Sequence, residues 1–403
     1  MNSVGIDISK GKSTVAIMRP LGEVVAPPFE VCHTTSKLSD LVNYLKTLDG
    51  EVRVVLEYTG HYHQSIARYL CEAGLFVSAI HPKLMHDFAN NSIRKVKTDK
   101  ADAIKIANYG LANWAILQRY MPEDETRALL KNYNRQYHEY GRIKSSLKNN
   151  LIALVDKCFP GVNKMFSNHA KADGSEKWVD FVEKFWHCDV VTAMSKAKFT
   201  TQYNKWSTKH GYVPSDSKAA DLYDFATQQI ATLPPSEETR SLIVYAVSQV
   251  KFVSSSLISL RREMLRLSAL LPEYHVVLSM GGVGEILGPQ LIAEIGDVRR
   301  FSHKGALVAF AGVDASPFQS GTFESTSRKI SKRGSPALRK ALFQVMMSLL
   351  QRSPQDEPVY QFLDRKRTEG KRYYVYMVAG CNKFLRIYYA RVKAYLDSLD
   401  TAA

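Results

Sequence analysis

The stretch MNSVGIDISKGKSTVAIM, residues 1–18, alternates side chains like a strand, turns, and repeats the pattern, with an aspartate, Asp7, inside the first apolar run. An unpaired carboxylate on a half-buried strand is costly, so such a group neutralises, finds a hydrogen-bonded partner or holds a cation. Which of these applies depends on what folds against it.

Working outward, SVGIDISK, KSTVAIMR and GEVVAP read as three short strands joined by tight turns, and SKLSDLVNYLKTL reads as an amphipathic helix opened by a serine cap. EVRVVLEYTG is the next strand, ending at Glu57. HQSIARYLCEAG follows as a helix closed by Gly74, and LFVSAIHP as a further strand. An antiparallel meander that passes into alternating strands and helices predicts an α/β domain of the ribonuclease-H type over residues 1–115.

The chain has 403 residues and a formal net charge of +15, the footprint of a protein that meets polyanions. Nucleic acid is the leading partner class, an anionic membrane the other. No run approaches the ~20 apolar residues of a spanning helix, and Asp7, Lys10 and Lys12 stand where a signal peptide needs an apolar core. The chain therefore reads as soluble and cytoplasmic. Its five cysteines form no C-x-x-C pair, which argues against a zinc ribbon or a disulfide framework.

Beyond residue 115 the pattern becomes helical. Tyr133, Tyr137, Tyr140, Ile143, Leu147, Leu151 and Leu154 recur at intervals of three and four, and so do Leu257, Leu260, Met264, Leu267 and Leu271. Two such seams predict an antiparallel pair or a dimerising coiled coil across residues 116–271, with a mostly helical insertion at 159–235. Residues 272–350 read as a smaller unit, and 351–403 as a Pro- and charge-rich link followed by a basic, Tyr-rich helical segment.

Three constellations carry chemistry. In the first, Asp7 lies mid-strand, Glu57 ends another strand, and VKTDKADAIKIA places Asp99 and Asp102 on one face at the start of a helix. Taken alone, Asp99 reads as the helix cap and Asp102 as favourable first-turn charge. Taken with Asp7 and Glu57, the four carboxylates suit a pair of Mg²⁺ or Mn²⁺ ions that clamp a phosphodiester. Both readings stay open on spacing alone. In the second constellation, LSMGGVGEILGPQLIAEIGD resembles a helix-hairpin-helix, whose turn glycines, Gly282 and Gly284, would let backbone N–H groups grip a phosphate. An ordinary helix–helix turn is the plainer alternative. In the third, Arg328, Lys329, Lys332, Arg333, Arg339 and Lys340 form a run without acids, suited to a phosphate backbone or simply to a solvated face. Upstream of it, Ser320 stands beside Gly321 in a polar loop, and spacing alone makes it a turn residue. Lys97 and Lys100, flanking Asp99, join the basic residues assigned to nucleic acid.

GIDISK, LEYTG, KTDKADA, GGVGEILGPQLIAEIGD, FAGVDASPFQSG and ISKRGSPALRKAL resemble, in that order, the two halves of the DEDD insertion-sequence transposases of the IS one-ten type, relatives of the Piv/MooV DNA invertases. The resemblance covers residues 1–115 and 275–350. It implies a RuvC-like domain whose acidic tetrad falls on Asp7, Glu57, Asp99 and Asp102. It further implies a small, mostly helical transposase domain whose serine nucleophile, in Q-S-G, falls on Ser320, with Ser316 of the unusual VDASPF segment as a rival. Such enzymes join serine to a DNA phosphate and reseal strands through a junction, some of them guided by a structured non-coding RNA. The expected partners are thus DNA, a guide RNA and further copies of the chain in a dimer or tetramer. The opening strand is also similar to that of actin-like kinases, but no second Gly-rich phosphate loop follows it. The alternatives to a transposase are a junction nuclease or invertase working without a guide, and a non-catalytic nucleic-acid-binding scaffold.

Overall fold

The alternation that opens the chain forms β1 (Asn2–Ile8) and β2 (Lys12–Met18), an antiparallel pair that β3 (Val24–Cys32) extends. The structure is a computed structural model. It describes residues 1–58, 60, 62–89, 98–167, 169–315, 319–320, 323–324 and 329–402, and it divides into two units, Met1–Glu123 and Asp124–Ala403.

In the first unit, α1 (Thr35–Lys46) leads to β4 (Val52–Glu57), α2 (Tyr62–Glu72) to β5 (Phe76–Ile80), and α3 (Pro82–Ala89) precedes α4 (Asp99–Ala112). The sheet order is β3-β2-β1-β4-β5, with β4 parallel to both β1 and β5. This mixed sheet, an antiparallel meander continued by parallel crossover strands, is the ribonuclease-H-type arrangement that the sequence predicts. The cap of α1 is Thr34, whose hydroxyl accepts from Lys37 N, and not a serine.

Side chains alternate across a strand, and the alternation sorts β1 cleanly. Val4, Ile6 and Ile8 enter a core with Leu38, Leu41 and Leu45 of α1 and with Ile66 and Leu70 of α2. Ser3, Gly5 and Asp7 face the opposite side, where α4 lies. A Cβ on Gly5 would collide with the Ala103 carbonyl and the Ala107 backbone, and one on Gly110 would collide with Ser3 Oγ. Helix and strand therefore touch backbone to backbone. Two residues of strand advance ~6.6 Å and four of helix ~6 Å, so Ser3, Gly5 and Asp7 step past successive turns of α4 and Asp7 arrives at its first turn.

The expected boundary at 115 moves to 123 because the following segment is tied to the sheet. Arg53 donates to the Trp114 carbonyl at 2.5 Å and lies over its ring, and Tyr120 N donates to Val77 O at 2.7 Å.

The second unit is built on α5 (Glu125–Val155) and α10 (Glu237–Ala269). They run antiparallel. Arg127 at the start of α5 pairs with Glu273 just past α10, while beyond the other end of α5 the Lys157 carbonyl accepts from Thr232 N, just before α10. The seam expected as an antiparallel pair or a dimerising coil thus closes within the chain. The intervening insertion folds into α6 (Lys177–Lys184), α7 (Cys188–Thr192), α8 (Lys196–Lys209) and α9 (Asp216–Thr227). Its aromatics Trp178, Phe181, Phe199, Tyr203 and Trp206 make a core against Val155, Val247 and Val250.

The remaining elements are α11 (Tyr274–Leu278), α12 (Leu287–Ile295), α13 (Lys304–Ala311), the antiparallel pair β6 (Gln319–Ser320) and β7 (Phe323–Glu324), α14 (Pro336–Arg352), α15 (Pro358–Thr368) and α16 (Tyr373–Ala402). Residues 272–350 and 351–403, expected as separate segments, share one core: Leu342, Val345 and Leu349 pack with Leu363, Met377, Phe384 and Tyr388. By length and composition α10 is apolar enough to cross a membrane, contrary to the sequence expectation. Its Ile243, Val247 and Val250 enter one core of this unit, and Met264 and Leu267 the other.

Candidate active site and nucleic-acid interface

Four carboxylates gather on the α4 side of the first sheet. Glu57 ends β4 and Asp7 is the last residue but one of β1, each one step beyond the registered pair Ile6 and Leu56, and they share a face with Gly5 and Val55. Asp99 and Asp102 occupy the first turn of α4, whose cap is Thr98, accepting from Ala101 N. Thr98 therefore displaces Asp99 from the capping role that its spacing suggested, and leaves its carboxylate available to the site.

Electrostatics report the convergence. Burial, followed by the charges of Asp99, Asp102 and Glu57 in that order, pushes the Asp7 carboxyl up to about 6. Glu57 is raised by burial and by Asp102, and His81, at the end of β5, pulls it back. Lys105 pairs with Asp102 at 2.9 Å, and Asp99 acts in turn on Lys12. The neighbouring acids oppose ionisation of Asp7 and Glu57, and a divalent cation would relieve that opposition. The donors are hard oxygens, the type that Mg²⁺ and Mn²⁺ take, so the donor set suits such an ion in its chemistry.

His81 is the neighbour that sequence reasoning missed. Its signal was an IHP triplet directly after a strand parallel to the one bearing Glu57. Among the described residues, three ligand-type side chains bring their donor atoms within 4.8 Å of one another at His187, Cys188 and Asp189, and these have a structural explanation: His187 Nδ1 accepts the Asp189 N–H at 3.0 Å and Nε2 meets the Leu233 carbonyl at 2.9 Å, so the imidazole caps α7.

In the second unit Ser320 sits on β6, paired antiparallel with Phe323 of β7. Its side chain, and the residues Ser316, Lys97 and Arg328, lie outside the described residues. Of the basic residues, Lys100, Lys329, Lys332 and Arg333 are exposed. Arg339 is half-buried and has a structural role, because its Nη1 donates to the Ala311 and Gly334 carbonyls at 3.0 Å each. Gly282 has a packing role of its own. Its φ is +76°, and a Cβ there would lie 2.9 Å from the Val345 carbonyl and 2.8 Å from Leu349, so the glycine serves close packing on α14. Gly284 is exposed with open space around it.

A transposase family profile of the DEDD IS110 type matches residues 4–160, and one described as "Transposase IS116/IS110/IS902 family" matches residues 274–361. Over 344 residues the chain is 22% identical to the pilin gene-inverting protein of Moraxella bovis, covering 85% of this chain and 80% of that one. It is 22% identical to a 44.8 kDa protein of insertion element IS116 from Streptomyces clavuligerus, over 79% of this chain and 77% of the relative. Among solved structures, Thermus thermophilus RuvC aligns at 14% identity over 30% of this chain and all of its own, with a TM-score of 0.24.

Proposed function

This chain belongs to the IS116/IS110/IS902 transposase family, and on that premise we propose that it moves an insertion sequence by cleaving and rejoining DNA strands through a serine-linked intermediate. The observation that carries the reading is the placement of Asp7 and Glu57 on the sheet face that packs against α4, whose first turn bears Asp99 and Asp102. So crowded a set on a sheet face and a helix start suits cation binding better than it suits a structural role.

In this reading Asp7, Glu57, Asp99 and Asp102 hold Mg²⁺ or Mn²⁺, which when bound polarises a phosphodiester and neutralises charge on its leaving oxygen. His81 and Lys105 set the charge of Glu57 and Asp102. Ser320 supplies the nucleophile: its Oγ gives up a proton and bonds to phosphorus, the phosphorus–deoxyribose oxygen bond breaks, and the phosphoserine keeps the energy needed to reseal the strand. Lys329, Lys332 and Arg333 bind backbone phosphates. A structured guide RNA and assembly as a dimer or tetramer belong to the same proposal.

The test is strand cleavage and joining on DNA carrying the element ends, with Asp7→Ala and Asp102→Ala beside the wild type. Both variants and EDTA-treated wild type are expected to be inactive, with Mg²⁺ or Mn²⁺ restoring only the wild type. Undiminished activity in EDTA overturns the metal reading.

A further inference from the structure

Within the second unit, α5, α10, α12 and α14 enclose a cleft of about 200 Å³ that the proposed chemistry does not use. Tyr137, His138 and Gly141 of α5, Gln290 of α12, and Lys340 and Gln344 of α14 line it. Gln290 is 3% exposed, and its Oε1 has no hydrogen-bond partner; His138 Nε2 is likewise buried and unpartnered. A buried amide oxygen left unsatisfied is destabilising unless something outside the protein satisfies it.

Gly141 adds an independent observation. Glycine weakens the middle of a helix relative to alanine, yet nothing lies within 4 Å of where its Cβ would be. No packing contact requires the glycine, and the space it leaves is part of the cleft. Lys340 faces His138 closely enough to help burial hold the imidazole below its usual value, so a cation overlooks the same space.

We propose that this cleft receives one unstacked base of a bound nucleic-acid strand. The volume falls below the ~300–1,000 Å³ of drug-sized pockets and suits a single planar ring system. Tyr137 offers a ring face for stacking, Gln290 Oε1 accepts from an exocyclic amine or ring N–H, and Lys340 meets the adjoining phosphate. The inference rests on the nucleic-acid-processing reading above and adds to it a place where a base leaves its stack.

The test uses the full chain with single strands of DNA and of RNA bearing 5-iodouracil in place of thymine or uracil. Each is photo-crosslinked and the adduct mapped by mass spectrometry, while anisotropy of the same strands measures binding. An adduct on the peptide carrying Tyr137 and His138 is expected, and the DNA and RNA arms identify which strand supplies the base. Gly141→Leu fills the cleft with a better helix former; it should remove that adduct and weaken binding by roughly fivefold or more, the loss expected for one stacked base. Gln290→Leu keeps the volume and removes the acceptor, and should lower the adduct while Tyr137→Phe preserves it. Binding without an adduct at Tyr137 or His138, or a Gly141→Leu protein that binds and crosslinks like the wild type, overturns the cleft assignment and leaves the parent reading standing. Failure of the wild type to bind either single strand overturns the cleft assignment, while the parent reading falls only if DNA carrying the element ends is neither bound nor cleaved.

Discussion

Asp99, the first residue of α4, acts on the Asp7 carboxyl of β1 more strongly than Asp102 or Glu57 does. The two are far apart in sequence, and what joins them is the glycine-floored contact between strand and helix. Ser3 meets Gly110, Gly5 meets Ala103 and Ala107, and Asp7 comes next along the same face. The carboxylate cluster is a consequence of how closely two backbones approach.

A pH-dependent stability follows. Asp7 has its pKa raised from 3.8 to about 6 in the folded chain, so the folded state binds more protons than the unfolded one between these values. Stability contributed by the protonated form is present below about pH 4 and is lost as pH rises through about 6. Metal-free Asp7→Asn, which does not titrate, should therefore melt higher than wild type at pH 8, by about 1–2 kcal/mol once partial exposure is discounted. The difference should vanish at pH 4, and Mg²⁺ should raise the melting temperature of the wild type alone. Identical melting curves at pH 8 would show that the acids do not crowd Asp7.

Gly5→Ala tests the geometry without touching a carboxylate. The added methyl group meets the backbone of α4, which must shift, at a cost of about 1–3 kcal/mol. Denaturant unfolding should register the loss, and the Mg²⁺-dependent rise in melting temperature should shrink because Asp99 and Asp102 move with the helix. A variant as stable as wild type, with its full metal response, would contradict the close packing.

Ser320→Ala should eliminate a covalent protein–DNA adduct while leaving DNA binding largely intact, since the hydroxyl is assigned only to the chemical step. Trapping on a suicide substrate, followed by gel analysis and mass spectrometry for phosphoserine-linked DNA, reads this directly. An adduct persisting in Ser320→Ala moves the assignment to Ser316. Free hydrolysed ends without any adduct from wild type favour a junction nuclease.

Two arginines of one basic run should behave differently. Arg333 is exposed, and Arg333→Ala should weaken DNA binding alike across sequences and lower the salt slope by about one. Arg339 holds the Ala311 and Gly334 carbonyls, so Arg339→Ala should instead destabilise the second unit by about 1–3 kcal/mol. Equal effects of the two substitutions on the salt slope would refute the distinction.

Local pattern alone determined a good deal about this protein. Period-two alternation marked the strands of the first sheet, the break after Glu57 marked the end of β4, and the three-four spacing marked α5 and the later part of α10, because these signals depend on neighbours within a turn or a pleat. The identity of Asp7 as an anomaly was legible for the same reason. Tertiary structure decided the rest. Whether Asp99 capped a helix or faced a partner depended on Thr98 taking the cap and on Gly5 admitting α4 to the sheet. His81 came beside Glu57 only through the parallel pairing of β4 and β5. Arg339 and Gly282 read from sequence only as nucleic-acid contacts in a basic, glycine-rich run; the structure adds packing roles, Arg339 to the carbonyls of Ala311 and Gly334 and Gly282 to the side of α14. Charge and composition record what a residue can do; which partner it meets is set by close packing between segments distant in sequence, where a single methyl group is enough to change the outcome.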